Sequence, residues 1–219
     1  MGPISDPNGD ILVNVCLSTV ITAAAILFFG ASCAQATVVT SIPGGTISNG
    51  APINYFGSGP QNIATGITWT ASSSIAVEGY TGIYGVYGFD VNGDWNGNPP
   101  MEGTNDPNKS MTFTFATPVS AVGGFLNYAP GFGSPFMIAV YDSSNHLIES
   151  YLPVFSTGGG LNTGAFYGFQ EGTADIGSFV LSGEYAGLRD LTVVTPEPSS
   201  IVLLGTGIAG MFARRFRRR

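Results

Sequence analysis

The chain has 219 residues, with 32 Gly, 14 Pro and 44% hydrophobic residues against only 10% charged ones; soluble domains average roughly 25% charged. It is too apolar and too aromatic for simple disorder, and it lacks the Ala, Glu, Lys and Leu runs of a helical bundle. The net charge of −7 is segregated: five of the seven basic residues (Arg214, Arg215, Arg217, Arg218 and Arg219) close the chain, whereas residues 37–195 hold Lys109 and Arg189 against eleven acids, a charge of −9 that excludes nucleic acid as a partner.

Residues 11–30 form an apolar run, closed by Ala34-Gln35-Ala36. Small side chains at −3 and −1 (Ala34 and Ala36) suit a signal peptidase pocket, so residues 1–36 are predicted to be a signal helix cut after Ala36. The first ten residues depart from the usual pattern, because they carry Asp6 and Asp10 and no Lys or Arg where positive charge normally holds the start of the chain in the cytoplasm. The bland alternative is an uncleaved anchor, since residues 11–31 are long enough to span a bilayer. Cys16 and Cys33 both precede the cut, so the mature chain has no disulfide framework and no thiol nucleophile. Cys33 also lacks the apolar residue three positions upstream that a lipoprotein site uses.

Residues 37–195 amount to one ordinary domain. They show no sustained 3.6-residue period. Short alternating runs recur instead, among them Ile67-Thr-Trp-Thr70, Met111-Thr-Phe-Thr-Phe115, Val119-Ser-Ala-Val122, Phe136 to Tyr141, His146 to Leu152, Phe179 to Ser182 and Leu188 to Val194. Gly, Pro, Asn and Asp clusters separate them, and Asp142-Ser-Ser-Asn145 reads as a hairpin turn. Eight to ten strands at this spacing predict an all-β ectodomain, a β-sandwich or jelly roll.

Three features inside that domain carry possible chemistry. Tyr80, Tyr84 and Tyr87 interleave with glycines that recur every third residue; aromatic rings stack on sugars and Gly admits a ligand to the backbone, so they are glycan candidates, although core strands in an aromatic-rich chain look alike. Asp90, Asn92 and Asp94 place oxygens at alternating positions as calcium loops do, but Trp95 stands where the loop needs glycine and Met101 where it needs the closing Glu. The favoured reading is a turn-rich loop, with calcium as a weak alternative and no metal otherwise expected. His146 is the chain's one histidine and sits beside the predicted turn, a place for a solvated residue more often than for a catalyst. HExxH, GxSxG and Walker patterns are missing. The expectation is a protein that is not an enzyme and needs no cofactor.

The C-terminus is the most specific part. Pro196-Glu197-Pro198 precedes Ser199-Ser200, then the apolar residues 201–213, then Arg214, Arg215, Phe216, Arg217, Arg218 and Arg219. Thirteen helical residues reach roughly 20 Å, enough to cross only with help from snorkelling arginines. The basic cluster stops transfer and keeps the tail in the cytoplasm. A plain tail anchor would look similar, but the whole constellation resembles the PEP-CTERM sorting signal of Gram-negative bacteria. That resemblance implies recognition by exosortase, a membrane-embedded enzyme that cuts at the motif, after export through signal peptidase. It also implies delivery to the cell surface or the exopolysaccharide matrix.

The middle region is also similar to β-sandwich domains of PEP-CTERM proteins, through Phe113-x-Phe115, Pro118-Val119-x-x-Val122-Gly123-Gly124-Phe125, Tyr141-Asp142, Phe166-x-Gly168-Phe169 and Ile176-x-x-Phe179-x-Leu181. These motifs describe packing and imply no activity. The expected organisation is therefore a signal peptide (1–36), a β-sandwich ectodomain (37–195) and a sorting signal (196–219) with a short transmembrane helix. The expected function is that of a non-catalytic surface or matrix protein, with a carbohydrate-binding module as the alternative and a glycan-active hydrolase third.

Overall fold

Alternation of apolar and hydroxyl side chains is what a pleated strand with one buried face requires, and the longest strand shows it residue by residue. Met111, Phe113 and Phe115 are buried while Thr112 and Thr114 are not. The computed structural model describes residues 36–48, 54–80, 88–97 and 99–195. Among them the chain order is β1 (Thr37–Val39), β2 (Thr46–Ile47), β3 (Tyr55–Phe56), β4 (Gln61–Ala64), β5 (Ile67–Ala71), β6 (Val77–Tyr80), β7 (Asp94–Trp95), β8 (Pro100–Gly103), β9 (Ser110–Val119), β10 (Ala121–Asn127), β11 (Met137–Tyr141), β12 (Leu147–Tyr151), β13 (Leu161–Asn162), β14 (Ala165–Gln170), β15 (Ile176–Ser182) and β16 (Gly187–Val194). A single 3₁₀ turn, Asp90–Asn92, interrupts them among the described residues. The signal helix and the transmembrane helix expected from the sequence lie outside the described residues.

Two antiparallel sheets carry the fold. One runs β1-β14-β10-β16-β8-β6-β3, with β2 added beside β16; the other runs β12-β11-β15-β9-β5-β4. Their inner faces meet in one apolar layer. Val122, Leu126, Phe169, Leu188, Leu191 and Val193 come from the first sheet, and Ile63, Ile67, Trp69, Phe113, Ile138, Phe179 and Leu181 from the second. Phe169 meets Phe179 edge to face at 6.3 Å across the two sheets, and Phe113 stacks on Phe179 at 6.3 Å within the second. The all-β sandwich read from period-2 runs is the architecture found.

Ser120 is where the chain changes layer. β9 pairs with β5 and β15 in the second sheet, whereas β10, one residue later, pairs with β14 and β16 in the first. The sequence run Val119 to Val122 is thus a corner and not a strand. At Gly123 and Gly168, directly opposite each other in β10 and β14, the backbones come so close that a Cβ on Gly123 would lie 2.7 Å from the Tyr167 carbonyl oxygen. Only glycine fits there without moving a strand.

Candidate functional site

The first sheet carries a rank of inward-facing residues that ends in acid. Residues directly opposite in neighbouring strands share a face, and the register aligns Leu126 with Leu188, Leu188 with Glu102, Glu102 with Glu78, and Glu78 with Tyr55. Leu126 and Leu188 belong to the main core, so Glu102 and Glu78 point the same way, into the space between the sheets. They are only 2% and 3% exposed. The Oε2 atom of each is buried and accepts no hydrogen bond, and among the described residues neither carboxyl has an ion-pair partner. Burial pushes the Glu78 carboxyl up to about 7. Glu102 is pushed up to about 8 by burial first and by the Glu78 charge second, with Asp190 adding and its own backbone hydrogen bond opposing. Direct opposition puts the two Cβ atoms about 5 Å apart.

Sequence reasoning missed Glu78, and it meets Glu102 only as a carboxylate one residue late for the calcium loop. The signal was present as two matching triplets, Val77-Glu78-Gly79 and Met101-Glu102-Gly103, each an acid between an apolar residue and a glycine.

The opposite face of β6 and β8 is covered by the loop read as a possible calcium site. Val77, Phe89, Trp95 and Met101 form a second small core there. Phe89 lies over Gly187 so closely that a Cβ on that glycine would be 2.7 Å from the ring. Phe89 and Trp95 meet edge to face at 5.2 Å, and the Trp95 indole N–H donates to the Met101 sulfur at 3.2 Å. The Arg189 guanidinium lies over Trp95 at 5.5 Å and over Phe125 at 5.3 Å, while pairing with Asp190 at 3.3 Å.

Asn92 pins this loop. It is fully buried; its side-chain amide donates to the Tyr128 carbonyl at 3.0 Å and its Oδ1 accepts from the Thr157 amide at 3.3 Å. Its backbone carbonyl accepts from Thr157 Oγ1 at 2.7 Å and from Asn162 Nδ2 at 2.6 Å. Asp90, by contrast, is exposed in a left-handed conformation, φ 53°, and Asp94 faces Gly88 across an isolated bridge. Asn92 therefore faces the protein while Asp90 faces solvent, and among the described residues no three His, Cys, Asp or Glu side chains are grouped to hold a metal. Asn92→Ala removes the side-chain partners of the buried Tyr128 carbonyl and the part-buried Thr157 amide and is expected to cost about 2–4 kcal/mol in urea unfolding, whereas Asp90→Asn, which tolerates the same φ, stays within about 0.5 kcal/mol. A calcium-dependent rise in Tm that Asp94→Ala abolishes would favour the cation reading.

His146 closes the β11–β12 turn. Asp142 Oδ1 accepts from the Ser144 and His146 amides at 2.8 Å each, and Oδ2 meets His146 Nδ1 at 3.0 Å. The His146 backbone hydrogen bond is the largest of the effects that hold the Asp142 carboxyl below its ordinary value. The hairpin read from Asp142-Ser-Ser-Asn145 is present, with Asn145 at φ 64°. Of the glycan candidates, Tyr80 ends β6 opposite Pro100; its side chain, Tyr84 and Tyr87 lie outside the described residues.

At the far end of the domain β16 is held on both sides. Val193 is aligned with Val122 of β10 and with Thr46 of β2. The Val194 carbonyl accepts from the Ser120 amide at 2.9 Å and from Ser120 Oγ at 3.3 Å. A cavity of about 310 Å³ opens beside this end, lined by threonines 46, 65, 117 and 195 over Ile67, Phe115 and Val193. Pro196, Glu197, Pro198 and the arginines lie outside the described residues, as does Ala34; Ala36 is buried against the main core.

Residues 194–219 match the PEP-CTERM protein-sorting motif. The PEP-CTERM match begins on the last residue of β16, so the sorting signal starts where the sheet ends. Such a motif implies processing by exosortase, with export and sorting from a membrane-anchored precursor. No curated protein matches the chain.

Proposed function

We propose that this exosortase substrate is a non-catalytic protein of the cell surface or exopolysaccharide matrix, released from its anchor at the Pro196-Glu197-Pro198 segment. The observation that carries this reading is the junction at Val194. The last carbonyl of β16 is fixed by Ser120, and two residues later the prolines begin. Cutting there removes the membrane segment without removing any residue of the sandwich. The converging carboxyls, Glu78 and Glu102, face the packed interior, whereas a glycosidase pair must reach a sugar; this supports a non-catalytic role.

Binding to the exopolysaccharide is the second reading. Tyr151 is 38% exposed and tilts against Tyr167 at 6.0 Å, and Phe155 stacks on Tyr167 at 5.5 Å, giving a partly open aromatic group of the kind that sugars stack on. Fractionating host cells tests the first reading: the protein is expected in the surface or matrix fraction with a mass lacking the tail. Recovery in the inner membrane at full mass overturns it. Retention on purified exopolysaccharide, lost in Tyr151→Ala, would favour the second.

A further inference from the structure

We infer that Glu78 and Glu102 form a proton-holding pair, so that the β3-β6-β8 side of the sandwich stays closed only while protons remain on the two carboxyls, and loosens as they leave in mild alkali. The geometry requires it. The two side chains are directly opposite on adjacent strands, on the face that packs against the second sheet, and each keeps a buried oxygen without a hydrogen bond. Two carboxylates carried on Cβ atoms about 5 Å apart in such a setting repel one another and lose their hydration, and the pair avoids both costs by holding protons.

Among the described residues, the groups around the pair do not offer a counter-charge. Tyr55 on β3, opposite Glu78, packs edge to face on Trp69 of β5 at 6.3 Å, and the Trp69 indole N–H is itself buried without a partner. On β16 the residue opposite Glu102 is Leu188; Asp190 adds negative charge, and Arg189 is engaged with Asp190 and with the two rings on the other face. Glu171, at the end of β14, is a separate acid raised by burial and then by Asp175 and Glu149. It adds to the pH dependence of the wild type but not to a difference made at Glu78 or Glu102.

The sign follows from proton counting. In the unfolded chain both carboxyls ionise near 4.5; in the fold they do so near 7 and 8. The fold therefore binds more protons than the unfolded chain between these values. Its stability is complete below the unfolded pKa and falls as pH rises through the folded ones. For each proton retained, the unfolding equilibrium constant rises about tenfold per pH unit across that window.

The test uses the full-length protein in mild detergent. Wild-type Tm is expected to fall from pH 5 to pH 8, and Glu78→Gln and Glu102→Gln each to flatten that fall and exceed the wild-type Tm at pH 9. Infrared spectra of the wild type should retain a protonated-carboxyl band at pH 7 that weakens in either variant. If the variants fail to fold, the wild-type band decides: its absence at pH 7 overturns the inference. A Tm that is flat from pH 5 to 8, or that falls equally in all three proteins, overturns it as well. So does recovery of the alkaline Tm by calcium, which would make the pair a cation site.

Discussion

Cells producing Glu197→Ala are expected to accumulate a membrane-retained precursor that still bears Arg214 to Arg219, while wild-type protein loses this tail and leaves the inner membrane. The three parts of the tail have separable duties. In the sorting we propose, the apolar residues 201–213 hold the precursor in the bilayer and the arginines orient it. Pro196 and Pro198 each fix φ and remove an N–H donor, so neither can extend the ladder of β16. Thr195 is the last residue described, one beyond the strand. Glu197 has no hydrogen-bonding duty in such a segment that an amide would not meet, which leaves its charge as the feature for an enzyme to read. Intact mass of the protein from fractionated cells checks this, and deletion of the host exosortase should reproduce the Glu197→Ala pattern. A wild-type mass that includes the arginines would reduce the motif to a linker.

Phe179→Ala is expected to cost about 3–5 kcal/mol in urea unfolding, a large share of the roughly 5–15 kcal/mol that holds a domain together. Phe179 is fully buried on β15, between β11 and β9, and its ring contacts Phe113 in its own sheet and Phe169 in the other. Truncating it leaves a hole that both layers border, and neither can close without shifting strands that are hydrogen-bonded on both sides. Val154→Ala, at a side chain 86% exposed, should change stability by less than about 0.5 kcal/mol. Equal effects from the two would mean that the sheets do not meet through Phe179.

Much of this fold is legible in local pattern, and what is not legible has identifiable causes. Strands β5 and β9 announce themselves because one face is buried, and period 2 follows from that. The corner at Ser120 is hidden because Val119 and Val122 point into the same core from two different sheets, so the apolar spacing runs on while the chain changes layer. Strands of two or three residues, such as β2, β3, β7 and β13, are too short to have a period. The sorting motif is readable because its parts are contiguous. Glu78 and Glu102 become neighbours only through the pairing of β6 with β8, and acids in a chain with eleven of them between residues 37 and 195 read as surface until that register is known. Asn92 stands out in the sequence for its side-chain oxygen, which in the fold accepts from the amide of Thr157, far along the chain.

The attachment of the tail to β16 has a mechanical consequence. While the precursor is anchored, any tension between membrane and domain enters at Val194, along a strand flanked by β10 on one side and β2 on the other. Drawing that strand out along its axis shears several cross-strand bonds at once. A tether fixed to an edge strand such as β1 would load the ladder on one side only. The domain is thus suspended from one of its better-clamped strands, and load on the tail is resisted by sheet contacts acting in parallel.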